Sequence, residues 1–493
     1  MAQRKTASKK QTRPWLILIL LALAQFMVVL DVSIVNVALP AIQHAFQMSQ
    51  TTLQWIITAY TLTFGGFLLL GGRSADLFGR RRTFLLGVTV FTLASLAGGI
   101  SQSGGMLIVF RAIQGLAGAF MSPAALSIIL ITYREGHERN VALSVWGAVA
   151  SGGAAVGVLL GGIITQYLTW RWNFFVNVPI GVIVVITSFM ILDKHETSLE
   201  HTSMDLPGAV LATGGLMMLV YALVKAPELG WLSQASLLHF GIAFVAGVGF
   251  LFNENRSKHP LMPLSIFRLR NLNGANAMML LITAGMFSIF FFTTLYLQEV
   301  LGYTPIKTGV SFLIVPVAVA ITAINAPRLI KRVGYKPILM VSPLFISGGL
   351  FWMSFIPVNG TFWGNVAPGI VLLGLGMGAT FVSATIAATA GVPKHESGLA
   401  SGLLNTSQQI GGAVGLAVLT GISTATSMHY IQHLHLHAAP THAIIAAATV
   451  RGFHDGYLIA STFGIGASLI AIFVLRQKPP KGAAIEGPIG VGI

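Results

Sequence analysis

The sequence predicts an all-α protein that crosses a membrane many times, as shown by its hydrophobicity and by the placement of its charges. Hydrophobic residues make up 54% of the 493 residues and charged residues only 9%, whereas soluble domains contain about 25% charged residues. The apolar residues form fourteen runs, each long enough to cross a hydrocarbon layer about 30 Å thick as a helix. A single soluble core is therefore excluded.

The Lys and Arg residues predict the orientation of these helices. With the N-terminus inside, 24 of the 29 basic residues fall in segments expected to be cytoplasmic, as the positive-inside rule requires. An even number of helices then places both termini in the cytoplasm, and the expected location is the cell membrane. The net charge of +15 is thus a topology signal rather than a sign of nucleic-acid binding, although contact with anionic membrane lipids is a reasonable secondary effect.

Two similar loops indicate an internal repeat. The segment "GGRSADLFGRRRTF" follows the second helix and "APRLIKRVGYKPIL" follows the tenth, and they align with Gly79 on Gly334. These are equivalent points of two six-helix halves if helices seven and eight are an insertion, and repeated halves are typical of secondary transporters. We expect a cytoplasmic tail at 1–14, an N-terminal bundle at 15–193, inserted helices at 207–253, a cytoplasmic linker at 254–272, a C-terminal bundle at 273–476 and a cytoplasmic tail at 477–493.

Five motifs follow one another along the chain: "LDVSIVNVALP" in the first helix, Gly72, Asp76, Gly79, Arg80 and Arg81 in the loop after the second, "RAIQGLAGA" from Arg111, "WRWNFFVNVPIG" at 170–181 and "SGLLNTSQQIGGAVG" at 401–415. In this order they resemble the motifs of the major facilitator superfamily and of its fourteen-helix drug:proton antiporter branch. The resemblance implies the major facilitator fold and an exporter of lipophilic, cationic or neutral, drug-like compounds. It also implies that protons move in exchange, by alternating access, in a protein that acts as a monomer without a cofactor.

The fifth helix departs from the family pattern at one position. Its antiporter motif is "GAAVGVLLGG" from Gly153, with Val158 where the family has proline. The glycines of the motif, Gly153, Gly157, Gly161 and Gly162, still predict close helix packing. Because the bend of the proline is missing, coupling other than antiport stays open.

Asp31 and Arg111 are the charges that the sequence places inside membrane helices. A carboxylate at membrane depth costs about 2.5–3.5 kcal/mol and usually marks a function. With the first helix ending near Pro40, both residues fall in the outer half of the membrane, so we predict that they meet. In this hypothesis Arg111 biases the protonation of Asp31, and Gln114 is a polar neighbour.

Two alternatives remain for this pair. Asp31 could be a structural carboxylate satisfied by side chains such as Ser33 or Asn36, and Arg111 could extend to the outer membrane surface. Glu299 and Asp455 are predicted to be solvated residues at the outer ends of their helices.

Asp76, Arg80 and Arg81 are predicted to lie in a short cytoplasmic turn in which Gly72 and Gly79 allow tight backbone geometry. The family resemblance implies that this turn is a conformational switch. The alternative, a positive anchor on the inner membrane surface, explains the arginines but leaves Asp76 without a role.

Metal sites and enzymatic activity are not expected. The chain has no cysteine, and the histidines of "MHYIQHLHLH" at 428–437, in a predicted external loop, are more typical of an adventitious or pH-responsive cluster than of a zinc site. No H-E-x-x-H, G-x-S-x-G or Walker A motif and no pair of intramembrane carboxylates is found. A channel or receptor, a facilitator without antiport, and an exporter of a lipid, metabolite or anion remain as alternatives.

Overall fold

The predicted all-α membrane fold is confirmed by the computed structural model, which describes residues 14–133, 136–192, 205–257, 260–262, 264–392, 397–434 and 440–476. Within these residues, fourteen helices are long and apolar enough to cross a membrane. They are α1 (Pro14–Phe46), α2 (Gln50–Phe78), α3 (Arg80–Gly99), α4 (Gly104–Thr132), α5 (His137–Tyr167), α6 (Trp172–Ile191), α7 (Leu206–Ala226), α8 (Gln234–Arg256), α9 (Arg270–Val300), α10 (Pro305–Val333), α11 (Tyr335–Met353), α12 (Phe362–Thr389), α13 (Gly398–His433) and α14 (His442–Phe473). The predicted tails lie outside the described residues, apart from Pro14.

The first six and the last six helices pack in the same pattern. In the N-terminal half, α4 packs on α2 and α3, α1 packs on α5 and α6, and α3 packs on α6. In the C-terminal half, α12 packs on α10 and α11, α9 packs on α13 and α14, and α11 packs on α14. Each contact in one half therefore has a counterpart eight helices later, as expected for two six-helix repeats separated by two inserted helices.

The inserted helices lie against the seam between the two halves. Helix α7 contacts both α2 and α13, while α8 packs mainly on α7. Leu62 of α2, Val220 and Val224 of α7, and Ala413 and Ala417 of α13 form one buried apolar cluster. Because α7 contacts both halves, a change in the angle between the halves must move α2 or α13 relative to α7 at this cluster.

The two halves also meet at the end of the molecule that the sequence predicts to be external. Gln298 at the end of α9 donates from Nε2 to the carbonyl oxygen of Val37 on α1, at 2.9 Å. The backbone nitrogen of Ile306 at the start of α10 donates to Oε1 of Gln166 on α5, at 3.3 Å. The outer ends of α1, α5, α9 and α10 are therefore closed against one another.

Several helix boundaries differ from the sequence expectation, among them the end of the first helix, expected near Pro40, and the start of the last, expected at residue 453. Helix α1 continues through Pro40 to Phe46, where the Phe46 ring packs on Trp170 with a centroid separation of 5.3 Å. Helix α14 begins at His442. Both extensions carry polar side chains that water can solvate beyond the hydrocarbon layer, so an apolar-run criterion truncates them. Asp31 consequently lies near the middle of α1, about 22 Å from its outer end at 1.5 Å per residue.

Candidate functional site

Asp31 is completely buried on α1, and every side chain that bonds to it is a hydrogen-bond donor. Its Oδ2 accepts from Nη1 of Arg111. Its Oδ1 accepts from Nε2 of Gln114 at 3.1 Å and from Nδ2 of Asn177 at 2.9 Å. An ionised carboxylate only accepts, whereas a protonated one must also donate. This arrangement therefore suits the anionic form of Asp31.

The Arg111 side chain, on α4, is held in place by several contacts. Only 2% of its side chain is exposed. Its Nε donates to the carbonyl oxygen of Ile56 at 3.0 Å, and its Nη1 donates to Oε1 of Gln114 at 3.0 Å. The guanidinium carbon lies 4.3 Å from the centre of the Tyr60 ring, a cation–π geometry. The predicted contact with Asp31 is present, and the alternative in which Arg111 extends to the membrane surface is wrong.

Sequence reasoning missed two members of this group, Ser95 on α3 and Asn177 on α6. Ser95 Oγ accepts from Gln114 Nε2 at 2.8 Å and from Asn177 Nδ2 at 3.0 Å. The signal was present, because Asn177 is a polar residue within an apolar segment of the "WRWNFFVNVPIG" motif. The proposed partner Asn36 instead donates to its own helix, at Val32 O. We call Asp31, Ser95, Arg111, Gln114 and Asn177 the Asp31 cluster.

Asp31 is not the only carboxylate inside a described helix, contrary to the sequence expectation. Asp455 lies in the lengthened α14, half-buried, and accepts from Thr426 Oγ1 at 2.8 Å. Glu254 is buried near the end of α8 and accepts from the backbone nitrogen of Met262 at 3.0 Å. Glu299 pairs with His44 across the outer ends of α9 and α1, at 2.8 Å.

The loop containing Gly72, Asp76, Gly79, Arg80 and Arg81 is almost entirely helical, which corrects the predicted turn. Helix α2 runs to Phe78 and α3 begins at Arg80, so Gly79 alone makes the connection. Gly79 has a φ of 94°, which a residue with a Cβ rarely adopts. A Cβ on Gly72 would meet only Pro123 at 3.8 Å, so close packing does not explain that glycine.

The contacts of the charged residues in this connection involve four helices of the N-terminal half. An Asp76 oxygen lies 3.7 Å from a guanidinium nitrogen of Arg80, and Arg80 Nε donates to Ser127 Oγ on α4 at 2.6 Å. The guanidinium carbon of Arg81 lies 5.4 Å from the centre of the Phe189 ring on α6. These contacts link the ends of α2, α3, α4 and α6.

The glycines of the fifth-helix motif pack against two different helices. An added Cβ on Gly153 would meet Phe26 and Val29 of α1, and on Gly157 or Gly161 it would meet the α1 backbone at Leu30 or Ile34. An added Cβ on Gly162 would lie 2.6 Å from the carbonyl oxygen of Pro305 on α10.

Val158, which replaces the family's proline, takes part in the same inter-half contact. Its carbonyl oxygen would lie 2.3 Å from an added Cβ on Gly309 of α10. Helix α5 therefore contacts the C-terminal half backbone to backbone without the proline.

The histidines of the predicted external loop are divided between regions. His429 and His433 lie in α13, with ring nitrogens 2.8 Å apart, and His442 begins α14. His435 and His437 lie outside the described residues. Among the residues that the structure describes, no group of three or more potential ligands forms a metal site.

Comparison with known proteins identifies the family. Residues 21–416 match the model of the Major Facilitator Superfamily. The chain is 39% identical to a puromycin resistance protein of Streptomyces alboniger over 93% of this chain and 90% of that one. It is 32% identical to a tetracenomycin C resistance and export protein of Streptomyces glaucescens over 98% and 96% of the two chains.

A solved structure shares the fold. The crystal structure of an auto-inhibited POT family peptide transporter superposes with a TM-score of 0.68 at 16% identity, over 96% of this chain and 98% of that one. The extent of the family match and the two relatives named above establish that the chain belongs to the Major Facilitator Superfamily and is a membrane transporter rather than an enzyme.

Proposed function

We propose that the protein is a proton-coupled exporter, an antiporter that moves lipophilic, cationic or neutral, drug-like molecules out of the cell by alternating access. The observation that carries the proposal is the Asp31 carboxylate, buried in the membrane and held by Arg111 and Gln114. Ionisable groups at this depth are rare and usually serve transport. The relatives named for puromycin resistance and for tetracenomycin C export support antibiotic-like cargo.

The mechanism follows from the charge of Asp31 in a protein whose outer ends are closed. In this state the cargo site faces the cytoplasm, and the donors around Asp31 favour its anionic form, so cargo binding releases a proton that Asp31 still carries. When the outer ends separate after cargo loading, Asp31 takes a proton from outside as cargo leaves. The outer ends then close again, and the proton is released to the cytoplasm because the donors of the closed state, Arg111 among them, favour the anionic form of Asp31; this release completes the cycle.

The cargo site in this proposal borders uncharged amides of α13. Thr406 of that helix donates to Gly65 O on α2, Ser407 donates to Asn276 Oδ1 on α9, and Ala417 packs against α7. Asn405 and Gln408 lie on one side of α13, because residues three apart share a face of a helix. Amides at this position would bind polar groups of the cargo without requiring a particular charge.

The remaining site residues act on conformation. Gly72, Asp76, Gly79, Arg80 and Arg81 form the switch at the predicted cytoplasmic end, where their contacts hold the ends of four helices together. The glycines of α5 allow the close contact with α1 and α10 that closes the outer ends. The protein works as a monomer in the cell membrane, with both termini in the cytoplasm.

The proposal is tested with inside-out membrane vesicles, in which ethidium uptake and the accompanying proton flux are recorded together. We expect gradient-driven uptake in the wild type and loss of both signals in Asp31→Asn. Asp455→Asn is the matched control, since it neutralises a half-buried carboxylate that bonds only to a hydroxyl in the described structure. Uptake and proton flux that survive Asp31→Asn would rule out Asp31 as the coupling group.

A further inference from the structure

The amide of Asn177 differs from the other donors around Asp31 in one respect. Arg111 has only donors, and the Oε1 atom of Gln114 already accepts from Arg111. Asn177 donates through Nδ2 to both Asp31 and Ser95, but its Oδ1 is buried without a hydrogen-bond partner. An unsatisfied buried acceptor is unfavourable, so its presence in a fully buried side chain requires an explanation.

A change in the protonation of Asp31 provides that explanation. A protonated Asp31 gains an O–H donor and no longer benefits from three donors. Of the two amides, Asn177 has the oxygen that accepts no hydrogen bond in the anionic arrangement, whereas the Gln114 oxygen already faces Arg111. Rotating its amide group by half a turn exchanges the positions of Oδ1 and Nδ2. Ser95 matches both orientations, because a hydroxyl group donates as well as accepts.

We propose that Asn177 is a positioning residue for proton exchange, whose amide donates to ionised Asp31 and, after rotation, accepts from protonated Asp31. This inference rests on the proposed function, because the rotation matters for transport only if Asp31 exchanges a proton. Asn177 thereby gives a hydrogen bond to both protonation states of a carboxyl group that water does not reach in this conformation.

The position of Asn177 also connects it to the outer interface. It lies one turn after Phe174, whose ring packs on Trp170 at 6.2 Å, and Trp170 packs on Phe46 at the outer end of α1. The same end of α1 contacts the C-terminal half through Val37. Movement of α1 at the outer interface therefore displaces the start of α6 relative to Asp31.

The test is an infrared titration of the purified protein, which needs no knowledge of the cargo. The absorption of a protonated buried carboxyl group is followed against pH and assigned to Asp31 by its loss in Asp31→Asn. In Asn177→Leu the anion loses a charge-assisted donor and the neutral acid loses a weaker neutral bond. We expect the midpoint to rise by about one pH unit, since one unit corresponds to 1.36 kcal/mol.

Asn173→Leu is the matched control. Asn173 is on the same corner, is equally buried, and has an Oδ1 without a partner, but its Nδ2 bonds to Thr165 Oγ1 at 2.7 Å rather than to Asp31. The titration midpoint of Asp31 in Asn173→Leu should equal that of the wild type. An unchanged midpoint in Asn177→Leu, or an equal change in both variants, would overturn the proposal.

If Asn177→Leu does not fold, a second variant and a second measurement still test the proposal. Ser95→Ala removes one buried hydroxyl group, and we expect a smaller shift of the midpoint in the same direction. In the wild type, the side-chain amide NMR signal of Asn177 should change with the Asp31 midpoint. An Asn177 amide signal that does not change across the pH range of the Asp31 midpoint would contradict the rotation. These results are independent of the vesicle experiment, so loss of this inference is distinguishable from loss of the proposed function.

Discussion

The helix pair α1–α6 and its counterpart eight helices later, α9–α14, are built from different chemistry. In the first pair, Asp31 and Asn177 belong to a buried network of charged and amide groups. In the second, Phe292 stacks on Phe453 with a centroid separation of 5.0 Å and packs edge-on against Tyr457 at 5.6 Å. A polar contact beside these rings joins Tyr457 Oη and Thr293 Oγ1 at 3.0 Å.

This difference in chemistry indicates different roles for the two halves. A network of donors around a carboxylate has alternative arrangements when a proton arrives, whereas stacked aromatic rings are held by packing that no proton changes. The N-terminal half therefore responds to protons in our account, and the C-terminal half provides a stable surface against which it moves. The following predictions test that contrast, from the largest expected effect to the smallest.

Arg111→Gln should produce the largest loss of stability, because it leaves the Asp31 carboxylate buried without its ion partner. Removing one member of a buried ion pair costs about 3–5 kcal/mol. The double variant Asp31→Asn with Arg111→Gln should recover part of this loss. Thermal unfolding of the detergent-purified proteins measures both effects. A single variant as stable as the wild type, or one with normal proton coupling, would refute the role of the pair.

Gly309→Val should disfavour closure of the outer ends, since its Cβ would lie 2.3 Å from the carbonyl oxygen of Val158. The chain has no cysteine, so Ala41→Cys, at a half-buried position one residue after Pro40 on α1, provides a single site for maleimide labelling near the outer interface. Labelling should become several-fold faster in the Gly309 variant. The control is Gly348→Val, since an added Cβ at Gly348 would meet no atom within 4 Å. Equal labelling rates in the two variants would show that this contact does not control the outer interface.

Tyr457→Phe should lower stability by only about 1 kcal/mol, the typical value of one neutral hydrogen bond, because the ring packing is retained. Its proton-coupled transport should match that of the wild type. Unfolding curves and vesicle transport of the same preparation give the two quantities. Loss of coupling in this variant would mean that the C-terminal half also responds to protons.

His44→Ala should have the smallest effect. The contact of His44 Nε2 with a Glu299 oxygen joins the two halves, but the His44 side chain is 72% exposed, and such exposed pairs contribute about 0–1 kcal/mol. We expect little change in maleimide labelling of Ala41→Cys. A large increase would place the control of outer closure at this pair rather than at the α5–α10 contact.

The features that the sequence predicted correctly are those that depend on one continuous stretch of residues or on an isolated charge. The apolar runs and basic loops predict fourteen helices, and the isolated charges Asp31 and Arg111 predict a contact between α1 and α4. Ser95 and Asn177 were missed because the orientation of α3 and α6 about their own axes decides whether these side chains face Asp31. Tertiary packing sets that orientation. The connection at Gly79 was predicted as a longer turn because charged residues resemble a loop, although α2 and α3 continue beyond the hydrocarbon layer.

The central claim is that cargo and proton compete through Asp31, and proton release on cargo binding tests it most directly. Ethidium is added to purified protein in weakly buffered detergent solution, and the released protons are measured with a pH indicator. The account predicts release by the wild type and none by Asp31→Asn, with ethidium binding retained in both as judged by its fluorescence. Equal proton release by the two proteins would contradict the claim that Asp31 carries the coupled proton.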